Sequence, residues 1–487
     1  LNAKPEINKR ELYFLIITSI LFFAGNIILS LYDLPILPAL PFAIVYLLIF
    51  LRNYSLFFYF ALAALPFSFE IPIGGFTLST PSEPMMITLL FICLILLFKK
   101  NAYDRDFFRH PLIFLLSLHY LVFILNIFFS LNPFLSFKYV LAKTWFIAAF
   151  LVFPSIFIRS EKQLKTMFWV LFSALMITVL YTVIRHAADG FAFDKIKRAG
   201  QPFYSDHVIY SCTMGIILPF IWFAVSWFKK EPKKAWLIIG SIAVLLFAIG
   251  TSYTRTTWIA VLMCVPAYFI FRSRLFKPAL VIALVAVTGV CVYLGHNNKF
   301  VEFAPDYTKT VFNKDNFEKH LQATYNMEDV SGMERVYRWV AAVNMIKENF
   351  WFGTGNNTFY PEYKRYVNPI FVTYLSHNPE HSSTHNYFLM IFSEQGVFGF
   401  SFFVILYLAM FLYAYRICRD ASSSLIRKLS TACFLSLLVL LIHLVLGDMM
   451  EVDKNGSFFF LIIALLIRMD LWNKAAQKKA LSSPLTH

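Results

Sequence analysis

Charge is what this chain has least of. Lys, Arg, Asp and Glu make up 15% of its 487 residues, while 59% are hydrophobic and 18% aromatic; a soluble domain carries about 25% charged and roughly 45–50% apolar residues. So few charges exclude an ordinary water-soluble globular protein. Cysteine is scarce as well, and the six present lack the paired spacing of a disulfide or zinc framework. Cys93, Cys212, Cys264, Cys291, Cys418 and Cys433 all stand in or beside apolar runs and read as packing residues. No short-period repeat is visible, which excludes a solenoid, and no low-complexity linker divides the chain. Acidic residues number 28 against 43 basic ones, but no basic domain stands apart. The excess therefore points to anionic lipid headgroups, not to nucleic acid.

Long apolar runs are what the chain has in abundance. A bilayer core about 30 Å thick needs roughly 20 apolar residues per helix, and such runs recur at Leu12–Leu31, Leu112–Ser130, Lys138–Ile158, Thr166–Arg185, Val208–Phe228 and Pro278–Gly295. With the shorter runs between them, including Pro-interrupted Ile36–Leu51, the pattern predicts an all-α polytopic membrane protein of about 12–14 spans. The first run lacks a clear small-residue cleavage site and reads as a retained span. Basic residues mark alternate loops: Lys4, Lys9 and Arg10, then Arg52, Lys99–Arg109, Arg159–Lys165, Lys229–Lys234, Arg272–Lys277, Arg416–Lys428 and Lys474–Lys479. By the positive-inside rule these are cytoplasmic. The organisation expected is N-terminal helices over 1–295, one large external loop with an amphipathic helix over 296–384, C-terminal helices over 385–472 and a cytoplasmic tail over 473–487.

Ionisable groups at membrane depth are costly and therefore informative. Lys138 and Lys143 lie at the outer end of a span; they either snorkel to headgroups or bind an anion. Arg255, flanked by Ser252, Thr254, Thr256 and Thr257, is an outer anchor or a grip for phosphate oxygens, which guanidinium can hold in pairs. In SGMERVYRWVAAVNMIKENF, helical spacing puts Arg335, Trp339 and Ala342 or Val343 on one face. His377, His381 and His385 recur every fourth residue, but Asn378 and Pro379 break the helix a metal site would need. His385, at the start of an apolar helix, can accept a proton near neutral pH. Asp448, Glu451 and Asp453 form an acidic turn, which reads most simply as solvated. His207, beside Asp206, is a second candidate for substrate contact.

Several of these pieces together resemble the bacterial O-antigen ligase family, within a superfamily that includes O-antigen polymerases and protein O-oligosaccharyltransferases. His385-Asn386, nine residues, Gly396, two residues and Gly399 match its His motif, with Glu394 inside. Arg335, Trp339 and the Gly353-x-Gly355 turn match its Arg–Trp pattern. Arg255 with Ile259 approximates its Arg-x-x-x-Leu signature, departing at the last position. The resemblance covers residues 200–460 well; earlier it rests on hydropathy and on the FTLSTPSEP and SFKYVLAKTW segments.

The resemblance implies a GT-C-like fold in the bacterial inner membrane and transfer of a glycan from undecaprenyl diphosphate to an acceptor hydroxyl on the periplasmic face, with inversion and without metal or other cofactor. It implies His385, Arg335 and Arg255 as catalytic residues, and Lys143, Lys138, Trp339, Arg338, His207 and Asp448 as substrate-binding ones. A ligase takes lipid A-core as acceptor, in lipopolysaccharide biosynthesis; a polymerase takes a second lipid-linked chain. The single large loop just before His385 favours the ligase. A lipid-linked oligosaccharide flippase or other transporter would put its ionisable groups near the midplane, usually with repeat symmetry. Here the candidates gather at one interface.

Overall fold

The computed structural model describes residues 53–73, 76–99, 102–228, 230–297, 299, 330–367 and 383–482. One compact unit ends at Leu62; the second, Ala63–His487, carries everything discussed below. Its helices are α1 (Ser82–Leu96), α2 (Pro111–Phe129), α3 (Pro133–Phe157), α4 (Glu161–Ala188), α5 (His207–Ala224), α6 (Pro232–Thr251), α7 (Arg255–Arg272), α8 (Phe276–Gly295), α9 (Val330–Glu348), α10 (Phe359–Tyr366), α11 (Tyr387–Arg419), α12 (Ser424–Leu446) and α13 (Asp453–Ser482).

Among the described residues nine helices are long and apolar enough to cross a membrane, and the chain is a multi-pass, all-α membrane protein. The expected spans at Leu12–Leu31 and Ile36–Leu51 lie outside the described residues, as do His377, His381 and much of the 296–384 loop. Helix α7 is 18 residues long, about 27 Å at 1.5 Å per residue. Arg255, Thr256, Thr257 and Arg272 at its ends dilute its hydropathy. The six cysteines are free thiols, four of them buried.

Local chemistry explains most element boundaries. Helix α3 begins five residues before the apolar run that predicts it, because Asn132 caps it and Pro133 occupies its first turn. A π turn at Ala148–Val152 precedes Pro154, whose ring nitrogen has no hydrogen for the carbonyl one turn earlier. Ser160 and Gln163 form a capping box on α4. Ahead of α1 the chain forms a hairpin, β1 (Phe69–Ile73) against β2 (Phe76–Thr80), in the register Phe69↔Thr80 to Ile73↔Phe76.

Helix α13 is the buried axis, with Phe458–Met469 enclosed throughout. Apolar packing alone cannot fix a helix among equally apolar lipids, so polar pins carry the register. At one end Arg468 Nη1 meets Asp104 Oδ2 at 2.8 Å and His110 Nε2 meets Asp470 Oδ2 at 3.3 Å. Near the other, Thr213 Oγ1 donates to Asn455 Oδ1 at 2.8 Å. That second end holds the turn through Asp448 and Glu451.

Candidate active site

The site is assembled where α11 begins. Asn386 caps this helix, its Oδ1 accepting the Leu389 N–H at 3.0 Å. One residue earlier, His385 has φ +52°, a left-handed backbone uncommon for a side-chain-bearing residue. The bend is held locally: His385 N–H donates to Ser383 Oγ at 3.2 Å, and Asn386 N–H donates to Thr384 Oγ1 at 3.1 Å. It is also held from α9, where Arg338 Nη1 donates to Ser383 O at 3.2 Å and Trp339 Nε1 to Thr384 O at 3.1 Å. Both residues, expected to touch substrate, thus spend a donor on the loop that carries His385.

Two arginines of α9 set the electrostatics. Partial burial, and then the positive charges of Arg335 and Arg338, push the His385 imidazole down to about 3, against a smaller opposing pull from Asp206. The ring is therefore neutral at physiological pH. Asp206 caps α5 through the Val208 N–H at 2.7 Å and pairs with His207 at 3.2 Å. The backbone carbonyl of His207 accepts Thr254 Oγ1 at 3.4 Å, tying in the turn from which Arg255 opens α7. Arg335, Arg338 and Asp206 thus act on His385 through their charges, and Arg255 follows the Thr254 that is tied to His207.

Lys143 comes in from α3. Its ammonium is buried, 3.0 Å from Glu451 Oε2 and 3.3 Å from Met450 O, and within 5.0 Å of the Tyr139 ring centroid. Tyr139 donates to Glu451 Oε1 at 3.2 Å, and Tyr387, two residues beyond His385, faces both. Among the three acidic candidates, Glu451 is the one paired with Lys143; Asp453 accepts from Ser68 and Ser82 at 2.8 and 2.7 Å. Asp448 is half-buried, and among the described residues its carboxylate makes no hydrogen bond or ion pair. Lys138 is exposed over the Phe134 ring at 5.9 Å. Five residues of helix turn it about 140° from Lys143, off the buried face.

Glycines lock the frame. Gly396 breaks α11 with φ +65°, and an added Cβ there would lie 2.2 Å from Trp351 O. Opposite it, Gly353 has φ +70° and would meet the Glu394 carbonyl carbon at 2.3 Å. The 350–359 turn docks in this notch: Thr354 N–H donates to Ser393 O, Gly355 N–H to Glu394 O and Val397 N–H to Phe350 O, all within 2.9 Å. Glu394 is consumed here, its two oxygens accepting the Asn357 and Phe359 N–H groups at 2.9 Å each. It is buried and holds the turn in place. Glu451 is one of three acidic candidates in the sequence, but its pairing with Lys143 is not visible there; Asp206 appears there only as the neighbour of His207, and its influence on His385 is not visible.

Residues 240–404 match the protein-family model described as O-Antigen ligase. No curated protein matches the chain. The matched stretch contains Arg255, Arg335, Arg338, Trp339 and His385 together with the Gly353, Gly355, Gly396 and Gly399 notch; Lys143, His207 and the 448–453 turn lie outside it.

Proposed function

The chain belongs to the O-antigen ligase family through the domain at residues 240–404, and on that premise we propose that it is an inverting, metal-independent ligase of the inner membrane. It moves a glycan from undecaprenyl diphosphate to a hydroxyl of lipid A-core on the periplasmic face. What carries this proposal is the neutral His385, held at a helix mouth beside Arg335 and Arg338. The acceptor hydroxyl gives its proton to the imidazole and its oxygen attacks the anomeric carbon. The bond from that carbon to the diphosphate breaks on the opposite face, and undecaprenyl diphosphate leaves with the electron pair. Arg335 and Arg255 answer the charge that grows on it, a stabilisation worth most where water is excluded. Lys143 adds its charge through the Glu451 side of the site, and Asp448 and His207 are left to orient sugar.

Donor binding also strengthens the base. An imidazole held at about 3 is a poor proton acceptor. Negative charge arriving beside Arg335 and Arg338 offsets two of the three causes of that depression and raises its proton affinity. The base is thus armed when the leaving group is in place.

The test is transfer by the purified protein in lipid nanodiscs, from undecaprenyl diphosphate-linked glycan to lipid A-core or to a second lipid-linked chain, with the new anomeric linkage read by NMR. Transfer to lipid A-core with inversion is expected. Transfer only between lipid-linked chains would make the protein a polymerase, retention would exclude a single displacement, and no transfer to either acceptor would sink the proposal.

A further inference from the structure

Where β1, the segment after Gly200 and the turn into α13 meet, the outer rim holds a shallow pocket open to solvent. It adjoins the His385 centre without being part of it. Ser205 lines the pocket while its neighbour Asp206 faces His385, and Val452 lines it while its neighbour Glu451 holds Lys143.

Its chemistry is mixed in a way that selects. Lys454 lines it and is 4% exposed, its Nζ donating to Ser68 O at 2.7 Å and to Ser68 Oγ at 2.6 Å. An ammonium has three donors, so among the described residues one N–H is left at the pocket. Two carboxylates share the wall: Asp453, and the exposed Glu70, whose Oε1 accepts Ser205 Oγ at 3.3 Å. An anion would suit the ammonium but meet both carboxylates, and a cation would meet the ammonium. A hydroxyl, which donates and accepts at once, satisfies both. Phe69, 39% exposed, and Phe203 add apolar ring faces at the same wall. Adjacent hydroxyls beside an apolar face are what a sugar ring presents.

We propose that this pocket is a subsite for one edge of an uncharged sugar ring, of the donor glycan or of the acceptor, and that Glu70 and Asp453 there select against acidic sugars. The subsite rests on the transfer function proposed above, but sugar binding tests it separately. The probes are methyl glucoside and glucuronate, read by saturation-transfer NMR on the full chain in nanodiscs. Methyl glucoside gives the stronger signal in wild type. Glu70→Lys, at an exposed position, weakens it about tenfold, the worth of one charge-assisted hydrogen bond, and strengthens glucuronate. Equal signals from the two probes, no signal from either, or indifference to Glu70→Lys would each overturn the subsite. Sugar binding without any glycan transfer would sink the transfer function and leave the subsite standing. In the transfer assay, Glu70→Gln raises KM for one substrate only. A donor effect assigns the ring to the donor, an acceptor effect to the acceptor, and no effect on either overturns the subsite.

Discussion

In the proposed reaction His385 acts through the charges around it, and its titration is where their influence is read. In an unfolded chain a histidine titrates near 6.5, and here the fold holds it at about 3. Above 6.5 both states are neutral and the fold bears no penalty; as pH falls from 6.5 toward 3 the unfolded chain takes a proton that the folded one refuses, so stability drops. His385→Asn should therefore flatten part of the acid destabilisation, read as melting temperature in detergent at pH 7 and pH 5. Adding inorganic diphosphate should move the imidazole titration upward, followed by NMR of the labelled ring; a titration that stays put would separate His385 from the donor's leaving group. Lys143 makes a second residue-scale case. Removing its partner in Glu451→Gln leaves a buried ammonium uncompensated, at a cost of about 2 kcal/mol. That is below the usual figure for a broken buried pair because Glu451 keeps contact with water. Denaturant or thermal unfolding in micelles measures it.

Between elements, the junction that matters is the notch of α11 and the turn docked in it. Gly396→Ala places a methyl group against Trp351 O at a backbone angle that alanine resists. We expect a loss of at least about 2 kcal/mol and faster hydrogen exchange across residues 350–367, since the turn would no longer seat. The helices themselves were legible because hydropathy is a local signal, and five of the runs read from sequence coincide with helices in the described residues. The β1–β2 hairpin was not legible because two strands of five residues each are too short for alternation to stand out between apolar spans. The glycine spacing was legible as a motif but its role was not: that Gly353 and Gly396 face each other depends on contact across about 40 residues of sequence. The Lys143–Glu451 pair, more than 300 residues apart, left no trace in spacing at all. That Arg338 and Trp339 each give a donor to the His385 loop could not be read from sequence, which shows which donors exist but not which carbonyls take them.

Across the whole molecule, charge is distributed by end. The Arg468–Asp104 and His110–Asp470 pins of α13 lie at the end of the bundle whose loops carry most of the basic residues, and the His385 site lies at the other. If the basic end is cytoplasmic, a cysteine placed at Ser205 in a cysteine-free background should react with an impermeant maleimide on cells with a permeable outer envelope, and one at Lys478 only after the inner membrane is breached. The reverse pattern would invert the topology and put the site on the wrong side for the acceptor proposed. The most direct measurement is glycan transfer by His385→Ala beside wild type, with folding and donor binding checked in the same preparation. A rate lower by about a hundredfold or more, the range a positioned general base contributes, with donor binding intact, is the expected result; a variant that folds, binds donor and transfers glycan at the wild-type rate would contradict the central role given to His385.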